Sequence, residues 1–432
     1  MPRISSVSRL SSNNWLNIWA GFCTSFIGVG LSRFAYSALI PAMIHQQWFS
    51  AGNVAYLGAA NLAGYLLGAS GARFLAAKLG NRMALRLAML GAAISFFACW
   101  QPASFWWFFP WRILSGISGG FLIVLAAPAI LPSVPVAKRG FAMGLIFSGI
   151  GTGIILSGTI VPILTDHDLR WAWVGLGIAC VACMISAWFF LPADHISPKT
   201  GPASGRNRPP KRPVLTIKPE WPHFTVWLVG LVYALAAISL VPHMVFLVDY
   251  TARILALGDG FASLCWTVFG VGALLGPVTF GKLGDRFGFR VTLVWIFLID
   301  MVMTVLPALS DNHAMLLASA FVVGATVPGV VSLILGWIHE LIDNAEARHQ
   351  AWSFATTLFA IAQAAFAYIF AWMFSQGATQ AHDIYAVAGL AAVLAMVLTF
   401  SFPILERKIA AAFEQARQKR QNNRPMAKPR CP

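Results

Sequence analysis

The stretch GVGLSRFAYSALIP, residues 28–41, places Arg33 inside an apolar run long enough to cross a membrane. A guanidinium stays charged under all ordinary conditions, so its burial in hydrocarbon needs a compensating interaction. No Asp or Glu lies three or four residues away on either side, so no partner on the same helix can neutralise it. Cavity water, backbone carbonyls or an arriving anion remain as ways to stabilise it. An arginine fork matches a carboxylate or phosphate in shape and charge. Two readings therefore stand: Arg33 captures an anionic solute, or it is a structural arginine bonded to carbonyls of a broken first span.

Other residues could complete such a pocket. Tyr36 is three residues on and shares the face of Arg33, and Asn61 and Tyr65 lie four apart on the next span. Trp266 and Gln363 offer polar tips further along the chain. Aromatic and amide groups around a single cation suit a small amphipathic monoanion. Asp300, in the middle of VWIFLIDMVMTVLP, and His243, beside Pro242, are candidate proton sites; each also reads as a buried polar group bonded to a neighbouring helix. Asp249 and Glu340 fall near span ends and read as interface residues. Arg112 follows Trp106, Trp107 and Trp111, which read as an aromatic belt, and it could snorkel from there to the interface.

The elements that must position these groups follow from composition. Of 432 residues 58% are hydrophobic and only 10% charged, with a mean hydropathy of +0.71. Soluble domains carry about 25% charged residues. Apolar windows of about 20 residues, enough to cross a hydrocarbon core, recur along almost the whole chain. Twelve spans are expected, near 15–44, 53–76, 84–101, 105–131, 141–164, 171–191, 224–249, 260–280, 291–309, 314–338, 351–374 and 384–403. The first reads as an uncleaved helix rather than a signal peptide. Residues 193–223, rich in Pro, Gly and basic residues, cannot span. They divide the chain into a six-helix half (1–192), a linker (193–223), a second six-helix half (224–403) and a basic tail (404–432).

The net charge is +15, yet its distribution points to topology rather than to nucleic acid. All but four of the 30 Lys and Arg fall in or beside the N-tail, even-numbered loops and C-tail; the exceptions are Arg33, Arg112, Arg170 and Arg253. This positive-inside bias places both termini in the cytoplasm. Five of the six cysteines, Cys23, Cys99, Cys180, Cys183 and Cys265, fall in spans and read as small buried hydrophobes, CVAC at 180–183 included, while Cys431 lies in the tail. GPVTFGKL (276–283) has Leu283 where a phosphate loop needs a hydroxyl, and no strand precedes it, which excludes ATP binding. No cofactor is implied, and the absence of a His, Asp and Glu cluster at ligand spacing argues against an enzyme.

KLGNRMALRL (78–87) and KLGDRFGFRV (282–291) occupy the same loop position in each half. GKLGDRFGFR (281–290) also matches the loop signature G-x-L-x-D-R-x-G-x-[RK] through Gly281, Leu283, Asp285, Arg286, Gly288 and Arg290. RILSGISGG (112–120) matches a second signature, R-x-x-x-G-x-x-G-[GA]. On these motifs and the twelve-span layout the chain resembles the major facilitator superfamily, and GLSRFAYSALIP resembles the first span of its YbfB/YjiJ group. The resemblance implies an all-α membrane protein with two pseudo-symmetric six-helix halves, moving a small solute by alternating access. It also implies a bacterial inner-membrane location, a first span lining the central cavity and a structural or coupling role for Arg112. Asp285 would latch the cytoplasmic side through the start of the fifth span, near 140–143. The first copy of the loop lacks that acid. With Gly80 aligned to Gly288, Arg73 and Ala77 stand at the Gly and Asp positions; with the KLG triplets aligned, Asn81 faces Asp285. The fifth span lacks the G-P core typical of drug–proton antiporters, so drug efflux is disfavoured. Proton-coupled movement of a small organic anion is the expectation. Export of an amphiphilic metabolite with Arg33 structural, or a transport-dead sensor, are the alternatives.

Overall fold

The computed structural model describes residues 12–135, 138–192, 223–342 and 344–422. Twelve long helices follow one another among these residues. They are α1 Ser12–His45, α2 Ala51–Leu79, α3 Asn81–Ala98, α4 Phe105–Ile130, α5 Arg139–Thr165, α6 Leu169–Trp188, α7 His223–Val245, α8 Gly258–Phe287, α9 Phe289–Leu309, α10 His313–Leu341, α11 Ala345–Ser375 and α12 Ala378–Asn422. Ten of these, all but α2 and α3, are apolar enough in sequence to cross a membrane unaided. The expected linker lies outside the described residues except for His223, with which α7 begins. α12 continues past its apolar stretch, His382–Leu405, to Asn422, so the first part of the basic tail is helical.

The packing repeats between halves. α2 packs on α4 as α8 packs on α10, and α3 meets α6 as α9 meets α12. Small residues make the first pair of contacts close. A Cβ on Gly64 or Gly68 would strike the backbone of Ile113 or Ile117, and one on Gly272 or Gly276 that of Phe321 or Ala325. Without water between helices, such close van der Waals approach is the main source of association.

The loop repeat aligns by backbone geometry rather than by its letters. Gly80 ends α2 with φ 83° and Gly288 ends α8 with φ 86°, a conformation that a side chain strains. Gly284 is an ordinary helical residue one turn earlier. Gly80 is therefore the equivalent of Gly288, and the KLG identity is a four-residue offset. Gly288 makes the turn between α8 and α9, whereas no neighbouring helix lies within 4 Å of where a Cβ on Gly281 would be.

The described cysteines, Cys23, Cys99, Cys180, Cys183 and Cys265, are free thiols. Residues 276–283 are helical, which leaves no phosphate loop there. Asp249 corrects the sequence reading. The chain beyond α7 stays helical through Leu247–Asp249 and a π-helical turn Tyr250–Ile254, which buries Asp249 completely. Burial is tolerated because Arg253, four residues on, donates from Nε (2.5 Å) and Nη2 (2.6 Å) to its two oxygens. Glu340 is exposed and its carboxylate accepts the Phe289 N–H at 3.4 Å, capping the start of α9.

Substituting Gly276→Val should lower the thermal midpoint in detergent by the equivalent of about 1–3 kcal/mol, since rigid backbone faces the new methyl groups. Gly281→Ala should melt with the unmodified protein.

Candidate functional site

Arg33 sits in a stretch of α1, Phe26–Ala35, wound as π-helix between two α-helical segments. Such widened turns free carbonyls from the regular ladder and occur often at functional sites. The Ser32 carbonyl accepts two side-chain hydrogen bonds here, from Asn61 Nδ2 (3.0 Å) and from Ser115 Oγ (3.0 Å). α1 is also wedged tightly: a Cβ on Gly28 would press on α4, and one on Gly30 on the backbone of α5. The position of Arg33 is thus set by its helix rather than by a bond to its own head group.

That head group lines a small cavity together with Tyr36, Ser37, Gly58, Asn61, Arg112, Met244 and Val245. In this conformation the cavity has room for little more than a water. Arg33 lies over the rings of Tyr65 (4.9 Å) and Phe34 (5.4 Å). Its one described polar contact is weak, from Nη2 to Met244 Sδ at 4.0 Å, and its buried Nε has no partner. Among the described residues it forms no ion pair.

For Arg112 the sequence left two readings, a structural or coupling arginine and one that snorkels to the interface. It does not snorkel. It is 2% exposed, and its guanidinium stacks 4.0 Å over the Tyr36 ring with Nε and Nη2 unpartnered. The belt consists of the exposed Trp106 and Trp107, one to two turns nearer the start of α4. The signal was available in the spacing: Arg112 lies one helical turn before the small-residue surface, Gly116–Gly120, that locks α4 onto α2. A side chain there has to point toward α1 and α2.

The remaining sequence candidates divide. Tyr36 donates to the Val54 carbonyl (2.8 Å), so it contributes its ring to the cavity and spends its hydroxyl on α2. Asn61 Nδ2 donates to the Ser32 and Arg112 carbonyls (3.0 and 3.2 Å), joining the two arginine-bearing helices. Gln363 Nε2 points at Met244 Sδ (3.7 Å), the same atom that faces Arg33. Trp266 belongs elsewhere. It is fully buried, stacks on Phe269, and donates from Nε1 to Ser157 Oγ (3.1 Å), tying α8 to α5. Asp300 is buried away from the cavity and accepts from Ser239 Oγ (2.8 Å), which makes it a helix-bridging group between α9 and α7. His243 is fully buried, with Nε2 2.8 Å from Ser319 Oγ, which itself donates to the Met303 carbonyl (2.6 Å). His243 Nδ1 has no partner.

The halves meet mainly toward the end that carries His45 and Asp259, an ion pair at 3.6 Å between α1 and the start of α8. Ser37 Oγ donates to the Met244 carbonyl (2.6 Å) across the same interface, and Tyr56 faces Tyr368. At the opposite end Asp285 is exposed and forms no hydrogen bond or ion pair among the described residues. Gly144 and Gly281 have nothing within 4 Å of a would-be Cβ. The latch expected for Asp285 is not engaged in this conformation. Arg286 rests near the Phe287 ring (5.3 Å), and Arg290 reaches the Thr399 carbonyl at 3.5 Å.

Twelve helices in two matched halves around a small central cavity define a major facilitator transporter. Solved structures with this fold include a D-xylose-proton symporter (TM-score 0.66, 16% identity, 90% of this chain and 97% of that one). They also include the nucleoside transporter NupG (TM-score 0.70, 12% identity, 89% and 99%). The chain belongs to the family described as "Uncharacterised MFS-type transporter YbfB", which matches residues 25–400. Curated relatives include multidrug resistance protein MdtG of Proteus mirabilis, 27% identical over 262 residues, 59% of this chain and 64% of the relative. MdtG of Salmonella choleraesuis is 26% identical over 267 residues (60% and 65%). The chain therefore spans just under two thirds of the length of these curated relatives. As a member of that family it is a multi-pass membrane protein, with ten helices among the described residues apolar enough to cross a bilayer.

Replacing Asn61 by Ala should destabilise the protein by about 1–2 kcal/mol, because two buried carbonyls lose one donor. Thermal melting in detergent measures this.

Proposed function

We propose that the protein is a secondary transporter that moves a small organic anion by alternating access of its two halves. The observation that carries this reading is Arg33, inside the membrane-spanning bundle, without a carboxylate partner among the described residues. The cavity around it is built from both halves, since Met244 and Val245 come from α7 and the remaining lining from α1, α2 and α4. A solute bound there touches both bodies that must move. An anion supplies the charge that the site lacks, whereas a cationic solute would be repelled. For that reason we favour an organic anion over the drug cargo suggested by the name of the MdtG relatives. The fifth span points the same way, because its only proline, Pro162, lies at its far end.

With both termini cytoplasmic, as the basic loops suggest, the conformation is closed toward the outside and loosened toward the cytoplasm. Asp285 would then engage the start of α5 when the cytoplasmic side shuts. Proton coupling is a further part of the proposal. His243, which adjoins Met244 in the chain, and Asp300 are its candidate carriers, each with one side-chain atom bonded and one without a partner.

Purified protein in vesicles should take up organic acids, and Arg33→Gln should reduce uptake by about tenfold or more, as expected for loss of a buried charge partner. Arg33→Lys should retain only part of the flux, because an ammonium keeps the charge but not the fork. Undiminished uptake in both variants would refute the role given to Arg33. Dissipating an imposed pH gradient with an ionophore should abolish accumulation if protons drive it.

A further inference from the structure

From the second guanidinium in the cavity we infer that the cargo is a compact organic dianion, a dicarboxylate held at both ends, with Arg112 as the second anchor. The inference rests on the organic-anion reading above and narrows its substrate class. A single cation suits a monoanion; the structure brings two to the same cavity, from α1 and α4. Arg112 is buried with two unpartnered nitrogens, Nε and Nη2, and Arg33 has an unpartnered Nε. Among the described residues neither guanidinium forms an ion pair with a carboxylate. Two guanidiniums that line one cavity without a carboxylate leave two positive charges to be met there, so a ligand with two negative charges is stabilised more than one with a single charge.

The spacing of the pair is fixed by the scaffold. The Asn61 amide bonds the carbonyl of Ser32, which precedes Arg33, and the carbonyl of Arg112 itself. Each guanidinium is steadied by a tyrosine face, Tyr65 for Arg33 and Tyr36 for Arg112. A rigid two-point clamp selects by the distance between the charges of its ligand. Met244 completes the arrangement. Its thioether, a weak acceptor, faces donors from Arg33 and from Gln363 of α11, so it occupies the place where a carboxylate oxygen would satisfy both. Methionine is flexible enough to withdraw. One carboxylate would then lie between Arg33 and Gln363, and the other would take the free edge of Arg112.

Ligand-induced thermal stabilisation of the purified full-length protein tests this. The probes are malonate, succinate and glutarate, the monoanions succinamate and butyrate, and ethyl phosphate. At least one diacid should stabilise at a concentration about tenfold or more below either monoanion, a difference of about 1.4 kcal/mol. Arg112→Gln should lower the potency of the diacid by at least about tenfold more than that of either monoanion, Arg112→Lys should restore part of the difference, and Arg33→Gln should weaken both classes. Equal potency of diacids and monoanions in the unmodified protein would overturn the inference without any variant having to fold. So would an Arg112→Gln effect of the same size on both classes, or a preference for ethyl phosphate over every diacid. Binding of monoanions alone would sink only the dianion, whereas binding of no anion at all would sink the organic-anion reading with it.

Discussion

The structure depends on a charge that the protein does not balance. Two arginines stand inside a twelve-helix bundle, and the groups around them are phenol rings, amide and thioether rather than carboxylates. Stacking on an aromatic face offsets part of the desolvation, by about 2 kcal/mol or more when buried, against a penalty of several kcal/mol per ion. The remainder has to be met by the fold. It is met by close helix packing: glycines bring α1 against α4 and α5, and bring α2 against α4, which holds the two arginine-bearing backbones in close contact. The scaffold and the site are therefore one problem. The glycine surfaces that look like generic membrane packing are also what holds two like charges together.

Much of this was legible in the sequence, for identifiable reasons. Hydropathy reports span length directly, so all twelve helices were found near their observed positions. Arg33 was recognisable because a charge in an apolar run with no acid at helical spacing has few explanations. Arg112 was harder. Its neighbours Trp106, Trp107 and Trp111 mark an interface, and a linear reading extends that interface to the arginine, whereas the helix rotates about 100° per residue and turns Arg112 inward. Asn61 was named as a pocket residue, but its bond to two helices depends on a π-helical stretch that no propensity scale signals. Trp266 failed for a different reason: a polar tip in a span identifies a group that needs a partner, not which partner it finds. It found Ser157, and so became part of the contact between the halves.

The repeat shows how letters and geometry can disagree. KLG occurs at both loops, yet the residues that do the same work are Gly80 and Gly288, where φ is positive and a helix must stop. Aligned that way, the first half carries Ala77 opposite Asp285. An acid at only one of two equivalent loops means that the two halves do not share a symmetric latch. Under the proposed reading the latch would rest on Asp285 alone, which is exposed in this conformation.

The contacts that hold the opposite end shut are individually weak. His45 and Asp259 are both more than half exposed, and such pairs contribute about 1 kcal/mol at most. The Trp266–Ser157 and Ser37–Met244 hydrogen bonds add about 1 kcal/mol each. A handful of such terms sets a modest gap between conformations, of a size that a ligand can reverse if it binds one state better than the other. Under the proposed anion reading, Met244 is where that difference would arise. Its carbonyl accepts from Ser37 and its sulfur faces Arg33, and all three residues line the same cavity, so a ligand that displaces the sulfur would act on the residue that Ser37 grips.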